Sequence, residues 1–107
     1  RTLMLEGMAG RPVGTTAGQI MILQLDIDSQ CYKRAYSLSQ APVCNRFAVT
    51  VKHVSSGHVS ALLNDQLLIG DSVQFNGPSG DFTLLSASAP HYVFAAAGSG
   101  ITPVMCL

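Results

Sequence analysis

The sequence has 107 residues, 48% apolar and 11% charged, and its six basic and six acidic side chains cancel to a formal net charge of zero. This is the composition of a globular chain, long enough for one domain or for one domain with a piece of another. Balanced charge excludes the basic excess of a nucleic-acid-binding domain, and no apolar run approaches the roughly 20 residues of a membrane helix, so neither nucleic acid nor membrane is an expected partner. Cys31, Cys44 and Cys106 show no Cys-x-x-Cys spacing. No metal site is therefore expected, and an odd count fits reduced, buried thiols and a cytoplasmic location.

Thr2 to Glu6 reads as a short strand, and the glycine-rich stretch from Gly7 to Gly18 as a loop. From Gln19 to Ile27, Met21, Leu23 and Leu25 alternate with Ile20, Ile22 and Gln24, which predicts a strand. Asp28-Ser29-Gln30 is a turn into a second strand from about Tyr32 to Ser39, and Ala41 to Asn45 reads as a loop around Pro42. Arg46 to Val54 is a further strand with Phe47, Val49 and Val51 on one face. Such short spacing between strands predicts a sandwich or closed barrel.

The period then changes. Val59, Leu62, Leu63 and Leu67 form a helical stripe behind Ser55-Ser56-Gly57, which is capping material, so one helix is expected over 58–66. Ser72 to Asn76 reads as a strand, Gly77-Pro78-Ser79-Gly80 as a tight turn and Asp81 to Leu85 as the last barrel strand. Ser86 to Pro90 marks a boundary. Tyr92 to Ala97 is a continuous apolar run of the kind that forms buried parallel strands, and Gly98-Ser99-Gly100-Ile101-Thr102-Pro103 follows it directly. With no initiator Met, and a last residue in what reads as the first turn of a helix, both ends read as cuts in a longer protein.

Three stretches carry candidate chemistry. In Arg34-Ala35-Tyr36-Ser37-Leu38-Ser39, alternation puts Arg34, Tyr36 and Leu38 on one side of a strand and the small residues on the other. Arg34 offers a donor fork for phosphate, Tyr36 a face for a ring, and Ser37 a hydroxyl. An ordinary half-exposed strand is the alternative. Gly57-His58-Val59-Ser60 opens the helix, where unpartnered amides favour an anion and Gly57 allows close approach. The third stretch is the glycine-rich turn at Gly98 to Pro103, a weak signal in isolation.

Taken together and in order, these stretches resemble the ferredoxin–NADP reductase superfamily. Arg-Ala-Tyr-Ser-Leu-Ser is similar to its flavin signature, Gly-x-x-Ser to its pyrophosphate turn, and Ala-Gly-Ser-Gly-Ile-Thr-Pro to its nicotinamide-dinucleotide motif. Val51-Lys52-His53 resembles a Val-Lys-Arg that runs along the ribityl part of the cofactor. Gly77-Pro78-Ser79-Gly80-Asp81-Phe82 resembles a turn that shapes the barrel near the flavin. Ala17-Gly18-Gln19 departs from a family Pro-Gly-Gln, which costs some loop rigidity and no chemistry.

The resemblance implies an all-β fold: a six-stranded antiparallel Greek-key barrel with one capping helix over residues 1–88. Residues 89–107 would then open a nucleotide-binding α/β domain. It implies FAD as cofactor and NAD(P)H as substrate. Arg34, Ala35, Tyr36, Ser37, Val51, Lys52, Gly57, His58, Val59, Ser60 and Thr102 would bind the flavin. Tyr36 and Ser37 would take the catalytic positions, with Ser37 on flavin N5, and His58 would contribute only its backbone. Gly98, Ser99, Gly100, Ile101, Thr102 and Pro103 would form the nucleotide turn. The implied partner is a redox protein or domain carrying an iron–sulfur centre. The closest branch by motif is that of oxygenase reductases and flavodoxin reductases (phenylacetate, vanillate and hybrid-cluster types). Competing readings are a non-catalytic flavin barrel like the lumazine and riboflavin-synthase relatives, a structural barrel, and a siderophore-reducing relative.

Overall fold

The structure, a computed structural model, describes residues 1–8, 13–84 and 88–107. Thr2–Glu6 (β1), Ile20–Ile27 (β2), Gln30–Val43 (β3), Arg46–Thr50 (β4) and Gln74–Ser79 (β5) form one antiparallel sheet in the order β1-β4-β3-β2-β5. A short helix, His58–Ala61 (α1), runs straight into a π-helical turn, Leu62–Gln66; a second helix, Ile101–Cys106 (α2), follows a 3-10 turn at Gly98–Gly100. Among the described residues there are thus five strands where the sequence predicts six.

The alternation in β2 holds: Met21, Leu23 and Leu25 are buried and their neighbours half-buried or exposed. Asp28 and Ser29, both at positive φ, close a two-residue hairpin, so Gln30 already belongs to the next strand. That strand, β3, is the organising element. Its first part, Gln30 to Ser37, pairs with β2, and its second part, Leu38 to Val43, pairs with β4. The loop expected at Ala41–Asn45 is therefore mostly strand. Pairing of Gln40 with Ala48 and of Val43 with Arg46 holds it extended, and a register shift lets Pro42 pass without a ladder donor.

β4 stops at Thr50, short of the expected Val54. Val51 stays buried, but its N–H and carbonyl turn to Arg1, bonding the Arg1 carbonyl at 2.8 Å and the terminal ammonium at 3.0 Å. From there the chain leaves β3. The helix occupies the expected span but changes type after one turn. Arg1 donates to the carbonyls of Leu63 and Asn64, and Leu67 N–H reaches back five residues to the Leu62 carbonyl at 3.0 Å. Of the expected capping stretch Ser55-Ser56-Gly57, Gly57 is the N-cap, and no side chain caps the helix.

The fifth strand lies later than expected and absorbs Gly77 to Ser79, because pairing from Gln24↔Gln74 to Ile20↔Ser79 keeps that stretch extended. The strand expected at Asp81–Leu85 does not form over residues 81–84, where Thr83 N–H bonds locally to the Asp81 carbonyl at 2.8 Å; Leu85 lies outside the described residues. Of the expected boundary, Ser86 and Ala87 also lie outside them, and Ser88 to Pro90 are exposed. Tyr92 to Ala97 is not a paired strand. Its residues are exposed, Val93 almost fully, since an apolar run supplies no partner for its own N–H and C=O groups.

The core gathers Leu3, Met21, Leu23, Leu38, Phe47, Val49, Val59 and Leu63. Phe47 meets Phe75 of β5 edge to face with ring centroids 5.3 Å apart. All three cysteines are free, but only Cys106 is buried; Cys31 sits beside one hairpin turn and Cys44 within another, where side chains reach solvent. Cys106 belongs to the core and its thiol donates to the Gln40 carbonyl at 3.1 Å, which seats α2 on β3. Among the described residues no helix is long and apolar enough to cross a membrane.

Candidate flavin site

A cavity of about 990 Å3 opens where the chain after Thr50 departs from β3. Residues Arg34 to Ser37 form one wall, and Thr50, Lys52 and Val54 the opposite one. Gly57 to Ser60 also line it, as do Gly98, Ser99, Ile101 and Thr102. Three segments far apart in sequence meet around one space.

The backbone geometry of β3 decides what that wall presents. Leu38 N–H donates to the Gln19 carbonyl at 3.0 Å, so by the alternation of an antiparallel ladder Tyr36 and Arg34 also turn their backbone groups toward β2. Ala35 and Ser37 turn theirs the other way, and β4 pairs with β3 only from Leu38 onward. Their N–H and C=O groups thus face the cavity side with no strand beside them. A planar heterocycle with donors and acceptors along one edge can complete such a ladder.

Tyr36 is half-buried, packs against the core and lines the cavity. Burial raises its phenol pKa above the ordinary 10.0, and the charge of Arg34 partly opposes this. Tyr36 therefore presents a neutral ring. Arg34 is exposed, donates to the Lys33 carbonyl at 2.8 Å and holds its guanidinium carbon 5.8 Å from the Tyr32 ring centroid. Neither Arg34 nor Lys52 pairs with a carboxylate among the described residues; Glu6 is paired with Arg46, and Asp65 lies 3.2 Å from His53 Nε2. The cavity thus holds two cations free to meet an anion.

Where α1 borders the cavity, the first helical bond runs from Ala61 N–H to the Gly57 carbonyl at 3.0 Å. The N–H groups of His58, Val59 and Ser60 precede it and have no intrahelical acceptor. The Ser60 hydroxyl is not among the open donors. It is buried, accepts from Val54 N–H at 3.1 Å and lies 3.2 Å from the Gly57 carbonyl, so it fastens the turn. A Cβ on Gly57 would stand 2.6 Å from that hydroxyl oxygen, which is why glycine is required there.

Not every expected residue reaches this cavity. Val51 is buried in the core and does not line it. Gly100 and Pro103 line a smaller cavity with Gly18, Phe82 and Ser37. Gly77 and Pro78 line another with Gly7 and Val13, and Phe82 of the same stretch lines the smaller cavity beside Ser37. Thr50, Val54 and the nearby Tyr32 were not singled out from sequence. Strand alternation two residues before Arg34 was the available signal for Tyr32.

Residues 3–84 match the family described as the oxidoreductase FAD-binding domain. The chain belongs to that family. This places it in the ferredoxin–NADP reductase superfamily, as its motifs imply. The glycine betaine monooxygenase reductase subunit of Chromohalobacter salexigens is 35% identical over 91 residues, covering 84% of this chain and 25% of that protein. The flavohemoprotein of Pseudomonas putida is 40% identical over 90 residues, covering 84% of this chain and 23% of its own length. A crystal structure of the flavohem-like FAD/NAD binding domain of nitric oxide dioxygenase from Vibrio cholerae superposes with a TM-score of 0.76 at 26% identity, covering 98% of this chain and 47% of that one. The chain therefore spans about a quarter of the length of the curated relatives it matches.

FAD is the cofactor of the oxidoreductase FAD-binding domain family, and the residues of this member fit it. An aromatic face, an open strand edge, two cations without a carboxylate partner among the described residues and three amides without an intrahelical acceptor border a space at the upper end of small-molecule pockets, roughly 300–1,000 Å3.

Proposed function

We propose that this chain holds FAD in an NAD(P)H-dependent reductase that passes electrons to a one-electron acceptor such as an iron–sulfur centre. The observation that carries this reading is the meeting of Arg34–Ser37, Gly57–Ser60 and Gly98–Thr102 around one cavity. Bound FAD would supply the chemistry that joins a two-electron hydride donor to one-electron acceptors.

The chain's own residues divide the work. Tyr36 gives the isoalloxazine a neutral face, and the open backbone of Ala35 and Ser37 takes its polar edge. Ser37, which lines the same cavity, would offer its hydroxyl as a hydrogen-bond partner for N5, the flavin atom that accepts hydride. Arg34 and the His58–Ser60 amides hold the pyrophosphate, and Lys52 lies along the sugar-like chain. Residues 89–107 begin the nicotinamide-binding part, with Thr102 where the two rings meet. The strand order, with β1 beside β4, supports the Greek-key reading of the barrel. A monooxygenase reductase subunit among the relatives supports an oxygenase component as acceptor.

The test is a titration with FAD followed by stopped-flow mixing with NADH. A saturable yellow complex is expected. Hydride transfer needs the two rings within about 3–3.5 Å, and here the nucleotide-facing surface is one unpaired extended run and one turn, so bleaching should be negligible with these residues alone and rapid when they are joined to a complete nucleotide-binding domain. No flavin binding would overturn the reading. Rapid bleaching by the 107 residues would show that the nicotinamide site has been misplaced.

A further inference from the structure

We infer that Tyr32 and His58 form the subsite for the adenine ring of the dinucleotide, a step that rests on the flavin reading above. On one face of β3, Tyr32, Arg34 and Tyr36 follow each other at alternate positions, giving ring, cation and ring. At about 3.4 Å per residue these positions are roughly 7 Å apart in succession. FAD has the same order along its length: a purine, a doubly charged pyrophosphate and a flavin ring. With Tyr36 and Arg34 on the cavity wall, Tyr32 stands one step beyond it, where the far end of the ligand must emerge.

His58 comes to the same place from the other wall. It lines the cavity, is exposed, and its ring stacks toward Tyr32 with centroids 6.2 Å apart and 28° between the planes. Two rings that clasp a third between them stand about 7 Å apart, twice the usual carbon–carbon contact of about 3.5 Å. The centroid separation of 6.2 Å is near that spacing, so a rotation of the His58 side chain would open the pair to a planar base. Tyr32 is the fixed side, because its hydroxyl donates to Gln30 Oε1 at 2.8 Å and the Arg34 guanidinium lies over its ring. His58 is the movable side, on an exposed position at the start of a helix. Neither ring is needed to hold the isoalloxazine or the phosphates. Their placement explains how this chain would prefer a dinucleotide to a mononucleotide flavin.

The test compares FAD, FMN and ADP by fluorescence and absorbance titration of the wild-type chain and of Tyr32→Leu, Tyr32→Phe and His58→Ala. Wild type should bind FAD at least about tenfold more tightly than FMN, the low end of what stacking two rings on a base provides. ADP should compete with FAD. Tyr32→Leu and His58→Ala should each shrink the FAD-to-FMN ratio about fivefold or more, and Tyr32→Phe, which keeps the ring, should preserve it. Tyr32 touches the core, so a thermal melt accompanies each variant; if Tyr32→Leu unfolds, the exposed His58→Ala decides. An unchanged ratio in folded His58→Ala overturns the adenine subsite and leaves flavin binding intact. Failure of wild type to bind either flavin overturns both.

Discussion

The Ser60 hydroxyl is tied to Val54 from both sides: it accepts from the Val54 N–H at 3.1 Å and lies 3.4 Å from the Val54 carbonyl oxygen. This clasp shapes the turn whose amides face the cavity. Ser60→Ala leaves a part-buried N–H without its acceptor and should cost about 1–3 kcal/mol of folding stability. FAD affinity should fall as well, because the His58–Ser60 amides lose their fixed direction. Urea unfolding with and without FAD measures both. A variant as stable as wild type would show that water replaces the hydroxyl.

Gly57 tests the same turn from the backbone. Its φ of −84° suits any residue, so Gly57→Ala meets no backbone strain. The new methyl would instead press on Ser60 Oγ at 2.6 Å and the Val54 carbonyl at 3.1 Å. A clash with a hydroxyl already fixed by hydrogen bonds should cost about 1–3 kcal/mol. Gly100→Ala is the matched control, with φ of −69° and nothing within 4 Å of its Cβ, and should stay within about 0.5 kcal/mol. Thermal melts of the two variants should separate clearly.

Arg34 is exposed and has no carboxylate partner among the described residues, so its removal should barely change folding. Its effect should appear on the ligand. Arg34→Ala is expected to weaken FAD binding by roughly 1.5–3 kcal/mol through loss of a charged hydrogen bond. The gap between wild type and variant should narrow as salt rises, the behaviour of a phosphate contact. An equal titration for both proteins would remove Arg34 from the site.

Tyr36 makes a prediction about alkaline pH. Its pKa is raised above 10.0, mainly by burial, so the folded state keeps the phenol proton more tightly than the unfolded chain does. The stability this contributes is fully present below pH 10 and is lost as pH rises through the folded pKa. Arg34 opposes the shift, so Arg34→Ala should raise the Tyr36 pKa further. Phenolate absorbance during an alkaline titration, with Tyr36→Phe to assign the late-ionising group, measures this. A lower pKa in Arg34→Ala would mean the guanidinium does not act on the phenol.

Local pattern was enough for much of this protein. Alternation in Met21, Leu23 and Leu25 identified the buried face of β2, and the stripe from Val59 to Leu67 located the helical segment, because side-chain period depends only on backbone geometry. The motifs at Arg34–Ser39, Gly57–Ser60 and Gly98–Pro103 also carried, by resemblance, the flavin-binding family. What no local pattern carries is the partner of each backbone group. Only the pairing with β4 extended β3 through Pro42, and only Arg1, more than sixty residues away, took the carbonyls that an α-helix would have used at Leu63 and Asn64. The same reason left Tyr92–Ala97 unpaired despite its apolar sequence, set Ser60 to holding the turn, and brought His58 against Tyr32. Apolar periodicity says which side chains leave water; which N–H meets which C=O is decided when distant segments pack.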